Sequence, residues 1–314
     1  MLSAILFAAV TIAFPREGQV LPPLSRCYLI GATDGGEEVL GAWCQAADAT
    51  NAVMVSRTGA WGTVVEVKPG TNMVCVGGIC RSLFVESPRP VAVSDSDAKK
   101  IYGKLEYASD VAQAHPFGKK PSEVTVVLDA GHGGADGGAM SPHGRSESEA
   151  NLLLTKEVAA AMSAKGFRIV LTRTNDVAVA LYDRPKFAHA VGADAFISIH
   201  HNAPGYETDP SVTRWQAVYA WNPLGDRLAS AISARMAAAR PGLLSKGVLR
   251  ANFAVTRNPE IPSCLIEADF ITHPDGEATA WSAAARRTLA AAIADGVLDW
   301  LVSTSCAGAE DVLQ

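Results

Sequence analysis

Apolar and polar positions divide the chain into two regions. From about residue 14 to 86 the apolar residues fall in short β-rich runs, Cys27–Ala32, Ala52–Arg57, Thr63–Val67, Met73–Val76 and Ser82–Val85. Turn signals separate them at Asp34-Gly35-Gly36, Pro69-Gly70 and Gly77-Gly78. That spacing predicts a small all-β domain, a sandwich or barrel. After Pro121 the pattern changes. Val124–Ala130 is one continuous apolar run, as expected of a strand buried on both faces. Glu149–Lys165 has helical spacing, with Leu154, Val158, Ala161 and Met162 on one face and Gly166 as the stop. Further strands are predicted at Phe167–Thr172, Asp194–His200, Trp215–Trp221 and Ser263–Phe270, and helices at Asp183–Val191, Leu224–Arg240 and Glu277–Val302. Strands alternating with helices mean an α/β domain, a mostly parallel sheet flanked by helices.

The expected organisation is a secretory leader over 1–13, the small β-domain over 14–87, and a proline-rich linker over 88–122 with a short helix within Ser94–Ala112. The α/β domain follows over 123–303, then a tail over 304–314 that holds Cys306. The leader reading rests on the apolar run MLSAILFAAVTIAF, with small residues placing a cleavage site after Ala13. The run lacks a preceding Lys or Arg, and a buried N-terminal strand or helix is the alternative.

Composition narrows the function. Of 314 residues, 48% are hydrophobic and 19% charged, a globular balance. The formal net charge of −5 gives no electrostatic reason to bind nucleic acid or an anionic membrane. No run approaches the roughly 20 apolar residues that span a bilayer.

Four of the six cysteines fall in the β-region: Cys27, Cys44, Cys75 and Cys80. Val-Cys-Val-Gly-Gly-Ile-Cys reads as a hairpin turning at Gly77-Gly78. Val76 and Ile79 then form the hydrogen-bonded pair beside the turn. Cys75 and Cys80 meet at the next pair, where Cα atoms approach to about 4.5 Å, within disulfide reach. Cys27 and Cys44 are expected as a second pair, with reduced buried thiols as the alternative.

Ligands of such sheets gather at the carboxyl ends of strands. Leu128-Asp129-Ala130 runs out into Gly131-His132-Gly133-Gly134, and Phe196–Ile199 ends in His200-His201-Asn202. The glycine loop fits no phosphate motif: Asp136 stands where a dinucleotide fingerprint needs its third glycine, and a P-loop would need a lysine. Glu147 and Glu149 follow at a helix start. Two His and one Glu form a known catalytic zinc set. The competing reading is that these acids only complement a helix N-terminus.

Residues 126–139, Val-Val-Leu-Asp-Ala-Gly-His-Gly-Gly-Ala-Asp-Gly-Gly-Ala, resemble the opening motif of the zinc-dependent N-acetylmuramoyl-L-alanine amidases of the amidase-3 type. The resemblance continues, in the family's order, through Glu147-Ser-Glu-Ala-Asn-Leu152, Leu171-Thr-Arg173, Leu181-Tyr-Asp-Arg184, Ala193-Asp-Ala-Phe-Ile-Ser-Ile-His200 and Pro262-Ser-Cys-Leu-Ile-Glu-Ala-Asp-Phe-Ile-Thr272. It spans Val124 to about Val302 and leaves the β-region out. It implies a metal site of His132, Glu147 and His200 holding one zinc ion per chain, with Glu267 catalytic. Glu147 is preferred to Glu149 because it lies fifteen residues after His132, matching the family's Glu-Lys motif; here Ser148 stands in place of that Lys. The implied reaction is hydrolysis of the amide between N-acetylmuramic acid and L-alanine of the stem peptide, by a zinc-activated water with Glu267 as general base. The implied partner is peptidoglycan, met by an exported, periplasmic or envelope monomer. Another zinc amidohydrolase, or a wall-binding protein with a dead site, is the alternative.

Other candidates take structural roles. His201 follows His200 on a strand and points the other way. His143 is expected at the rim. His115, His189 and His273 are expected in packing or surface roles, and Arg173, Asp176 and Arg184 in structural charge pairs. Cys264 lies on the strand face opposite Glu267. The interval from His200 to Glu267 has no room for a helix that blocks the metal.

Overall fold

A computed structural model of the chain describes residues 9–34, 39–46, 49–88 and 118–310. The expected linker helix, His115, most of the leader and residues 311–314 lie outside the described residues.

The N-terminal region forms β1 (Val10–Phe14), β2 (Gln19–Leu21), β3 (Arg26–Thr33), β4 (Val39–Cys44), β5 (Ala49–Met54), β6 (Ala60–Glu66), β7 (Gly70–Val76) and β8 (Ile79–Val85). They make two sheets, ordered β1-β3-β6 and β2-β8-β7-β4-β5. Leu29, Trp61, Val74, Val76, Leu83 and Val85 build one core from both. β1 crosses the boundary expected after Ala13. Ile12 and Phe14 alternate inward into the core, and the strand pairs with β3. Residues 10–13 thus lie in a paired strand, as in the alternative reading of this run.

The hairpin of β7 and β8 turns at Gly77-Gly78, both glycines at positive φ, and Cys75 pairs with Cys80 in register. Their Sγ atoms are bonded, with Cα atoms 4.0 Å apart. The second expected pair does not form. Cys27 and Cys44 are buried free thiols on strands of different sheets, and the Cys27 thiol donates to its own strand at Tyr28 O, 3.3 Å away. Burial pushes the Cys27 thiol up to about 12.

The second region contains β9 (Thr125–Ala130), α1 (Glu147–Ala164), β10 (Arg168–Leu171), α2 (Asp183–Ala190), β11 (Ala195–Asn202), β12 (Gln216–Ala220), α3 (Pro223–Ala239), β13 (Ser245–Arg250), β14 (Ser263–Phe270), α4 (Pro274–Trp281) and α5 (Ala283–Glu310). The sheet order is β10-β9-β11-β14-β12-β13. The first four strands run parallel; β12 is antiparallel to β14 and parallel to β13. The single closing helix expected over Glu277–Val302 is two. Ser282 is extended between them and accepts the Ala285 N–H on its hydroxyl. The second helix runs on through Cys306, expected in a tail.

Alternation along the strands divides the sheet's faces. Val126, Leu128, Ile197, Ile199, Cys264 and Ile266 pack with Leu154 and Met162 of α1, Ile232 of α3 and Trp300 of α5. Val127, Phe196 and Leu265 point to the other face, against Ala188 of α2 and Val255. His200 and Glu267 continue this second set.

The two regions are joined at the segment after β11. Tyr28 N–H donates to Tyr206 O at 2.7 Å, and Glu207 Oε1 accepts from Ser25 N and Oγ, both at 2.9 Å. The rings of Phe14, Tyr28 and Tyr206 cluster with centroids 4.6–6.0 Å apart.

Candidate metal centre

Three residues distant in sequence meet at the carboxyl ends of β9 and β11. His132, Glu147 and His200 place one ligand atom each within 4.8 Å of one another. His132 Nε2 is 3.2 Å from Glu147 Oε1, and His200 Nδ1 is 3.1 Å from the same oxygen. Glu147 opens α1, with Ser146 as N-cap, so its carboxylate faces back toward the strand ends. Burial disfavours that carboxylate's charge, but the bonds to the two imidazoles outweigh it and hold its pKa far below the usual range. Burial also opposes charge on His132, yet Glu147 and Asp136 raise it to about 9.

The loop carrying His132 is held from all sides. His132 itself has φ 59°, unusual for a residue with a side chain. A Cβ on Gly131 would lie 2.2 Å from the His200 ring, so only hydrogen fits there. Gly138, at φ +65°, leaves equally little space beside Glu147 Oε2. Arg173 is not in a charge pair. Its guanidinium donates to the carbonyls of Ala130 (2.9 Å), Gly131 (2.9 Å) and Ser148 (2.7 Å), tying the end of β9 to the start of α1. Asp176 likewise takes a backbone partner, Gly134 N–H, at 2.8 Å. Arg184 does pair: it meets buried Asp129 at 2.8 Å and also donates to His132 O. Asp129 further accepts from Thr172 and Ser198.

Glu267 is the register partner of His200 on the neighbouring strand. With both histidines it lines a cavity of about 420 Å³, walled by Leu181, Phe253, Val255 and Leu265. Its Oε2 is buried without a hydrogen-bond partner. Burial, then the charge of Glu147, push its pKa well above the carboxylate range. The only long helix between His200 and Glu267, α3, packs in the core on the other face of the sheet.

His201 points away as expected, buried and bonded through Nδ1 to Asn151 Oδ1 at 2.9 Å. Cys264 is buried on the same far face. His143 is half-exposed and tied to buried Glu277, Nδ1 to Oε2 at 2.7 Å. His273 caps α4, and His189 approaches Glu260 at 3.6 Å. Two site residues escape the sequence reading. Asp136 Oδ2 meets His132 Nδ1 at 2.8 Å, and Asn151 donates to Glu147 Oε1 at 3.1 Å. The signal for Asn151 is its position one helical turn after Glu147.

Residues 126–299 match the family model described as N-acetylmuramoyl-L-alanine amidase. The chain is 31% identical over 228 residues to N-acetylmuramoyl-L-alanine amidase AmiA of Salmonella typhimurium, covering 58% of this chain and 78% of that one. It is 35% identical to the amidase LytC of Bacillus subtilis, covering 56% of this chain and 35% of that one. Among solved structures, AmiC2 of Nostoc punctiforme superposes with TM-score 0.54 at 33% identity, covering 57% of this chain and 98% of that one. On a match that takes in every strand of the second sheet and all four residues of the site, the chain belongs to the Amidase_3 family of N-acetylmuramoyl-L-alanine amidases.

Proposed function

We propose that the chain hydrolyses the amide between N-acetylmuramic acid and L-alanine in peptidoglycan, with His132, Glu147 and His200 holding one zinc ion and Glu267 as general base. The observation that carries this is the convergence of two imidazoles and one carboxylate beside a second carboxylate, Glu267, whose Oε2 has no hydrogen-bond partner. The donor set fits zinc: two nitrogens and one oxygen leave a position open to water or substrate. When bound there, zinc polarises the scissile carbonyl and acidifies water.

The chain's own residues supply the rest. An amide has a poor leaving group, so the departing amine must gain a proton. Glu267 takes one from the attacking water and returns it to the amine, worth on the order of 10²–10⁴ in rate. Its buried Oε2 has no competing donor. Asp136 and Asn151 hold the His132 ring and the Glu147 carboxylate in their orientations.

The chain acts outside the cytoplasm. The Cys75–Cys80 disulfide fits an oxidising compartment, where the substrate also lies. No helix among the described residues is long and apolar enough to cross a membrane.

Purified peptidoglycan is digested by the full chain with and without chelator, and products are read by mass spectrometry. Stem peptides with a free L-Ala amine, released only with metal, are expected. Cut glycan strands or cut cross-links overturn the reading.

A further inference from the structure

A cleft of about 700 Å³ lies between the β-domain and the catalytic domain. Its catalytic side is formed by Gly138–Met140 and by Ala203–Tyr206. Both strips adjoin the metal centre. Ala139 N–H donates to Glu147 Oε2 at 2.9 Å, and Ala203 follows the strand that carries His200. The opposite side comes from the β-domain, with Arg16 and Glu17 between β1 and β2 and Gln19 at the start of β2. The contacts of Tyr28, Ser25 and the aromatic cluster to Tyr206 and Glu207 fix this side in place.

The metal centre is thus flanked by two cavities of different chemistry. The one containing Glu267 has Leu181, Phe253, Val255 and Leu265 on its walls, and its single guanidinium, Arg184, is buried and committed to Asp129 and three carbonyls. In the interdomain cleft Arg16 is exposed, and no acid pairs with it among the described residues. The neighbouring Glu17 carboxylate is occupied, accepting from both Ser82 N and Ser82 Oγ. The cleft therefore offers one available guanidinium and an exposed face of Tyr206.

We infer that the interdomain cleft is the subsite for the peptide arm of the substrate, with Arg16 of the β-domain binding the free α-carboxylate on the second residue of the stem peptide. This rests on the amidase reading, which gives the substrate an uncharged sugar on one side of the scissile amide and a peptide on the other. A planar guanidinium matches a carboxylate with two parallel hydrogen bonds. Clefts between domains are common ligand sites. The β-domain, on this reading, is a wall of the active site and a specificity element.

The test uses the full chain and two synthetic peptides, L-Ala-γ-D-Glu-L-Lys-D-Ala with a free α-carboxylate on its second residue and the same peptide with a carboxamide there. Calorimetric titration measures binding to the wild type, Arg16→Ala, Arg16→Lys and Arg16→Glu. Arg16→Ala is expected to weaken binding of the carboxylate peptide on the order of tenfold. Arg16→Glu weakens it further, Arg16→Lys restores part, and the carboxamide peptide is insensitive to all three. Hydrolysis of the matching muramoyl peptides should show the change in KM with kcat and zinc content retained. Equal binding by wild type and Arg16→Ala, or equal losses on both peptides, overturns the subsite. Arg16-dependent binding without hydrolysis by the wild type would instead count against the amidase reading and leave the peptide site standing.

Discussion

His200 and Glu267 stand opposite each other on neighbouring parallel strands, facing the same side of the sheet. The pairing puts an imidazole of the candidate metal cluster beside a carboxylate outside that three-residue cluster. That separation of roles is measurable. Glu267→Gln keeps the side chain's shape but removes the base. The variant is expected to fold, to retain zinc near one per chain, and to lose amidase activity by on the order of 10² or more. Metal content and turnover on the purified variant check this. A zinc-free Glu267→Gln would make Glu267 a ligand.

His132→Ala and His200→Ala should lose zinc and activity together, because each leaves only two of three ligands. Chelation of the wild type should give the same loss, restored by added zinc. Full activity after metal is shown absent by elemental analysis would sink the metal role.

Asp136 is largely exposed, at 70%, yet bonded to His132 of the candidate metal cluster. Asp136→Ala is therefore expected to melt like the wild type but bind zinc roughly 10–100-fold more weakly. Competition against a chromophoric chelator reads this. An unchanged zinc affinity would show that the ring is oriented by the loop alone.

Asp129 and Arg184 form a pair buried beneath the site. Asp129→Ala strands the guanidinium without its counter-charge and should cost about 3–5 kcal/mol of stability. Urea denaturation measures it, and a loss below 1 kcal/mol would mean that the carbonyl partners of Arg184 suffice.

The Cys75–Cys80 bond closes a short loop. Chain-entropy arguments give such a loop about 2 kcal/mol. The paired Cys75→Ser, Cys80→Ser variant should lose that much in the β-domain's transition, while zinc binding by the catalytic domain is unchanged.

Where side-chain direction follows from a local period, the sequence was readable. His200 and His201 sort to opposite faces by strand alternation, as do Cys264 and Glu267, and the glycine turn sets Cys75 against Cys80. Long-range partners were not readable. Nothing local says that Arg173 would bond four carbonyls, or that Cys27 and Cys44 would sit on strands of different sheets. β13 is a partly exposed edge strand with Gly247 inside it, so its apolar pattern is weak. The break at Ser282 was hidden by the alanine-rich sequence on both sides. The apolar run at the N-terminus reads as a leader or as a buried strand because the two share composition; in the fold residues 10–14 pair with β3.

The strand order also sets when the enzyme can become active. β14 is inserted between β11 and β12, although it follows both in the chain. A polypeptide emerging N-terminus first therefore presents His132, Glu147 and His200 long before Glu267. Until residues 263–270 thread into the middle of the sheet, the cell holds a chain with the proposed metal ligands but without the proposed base. Catalytic competence on the proposed roles thus waits for β14, and truncated chains that end before residue 263 are expected to hydrolyse nothing.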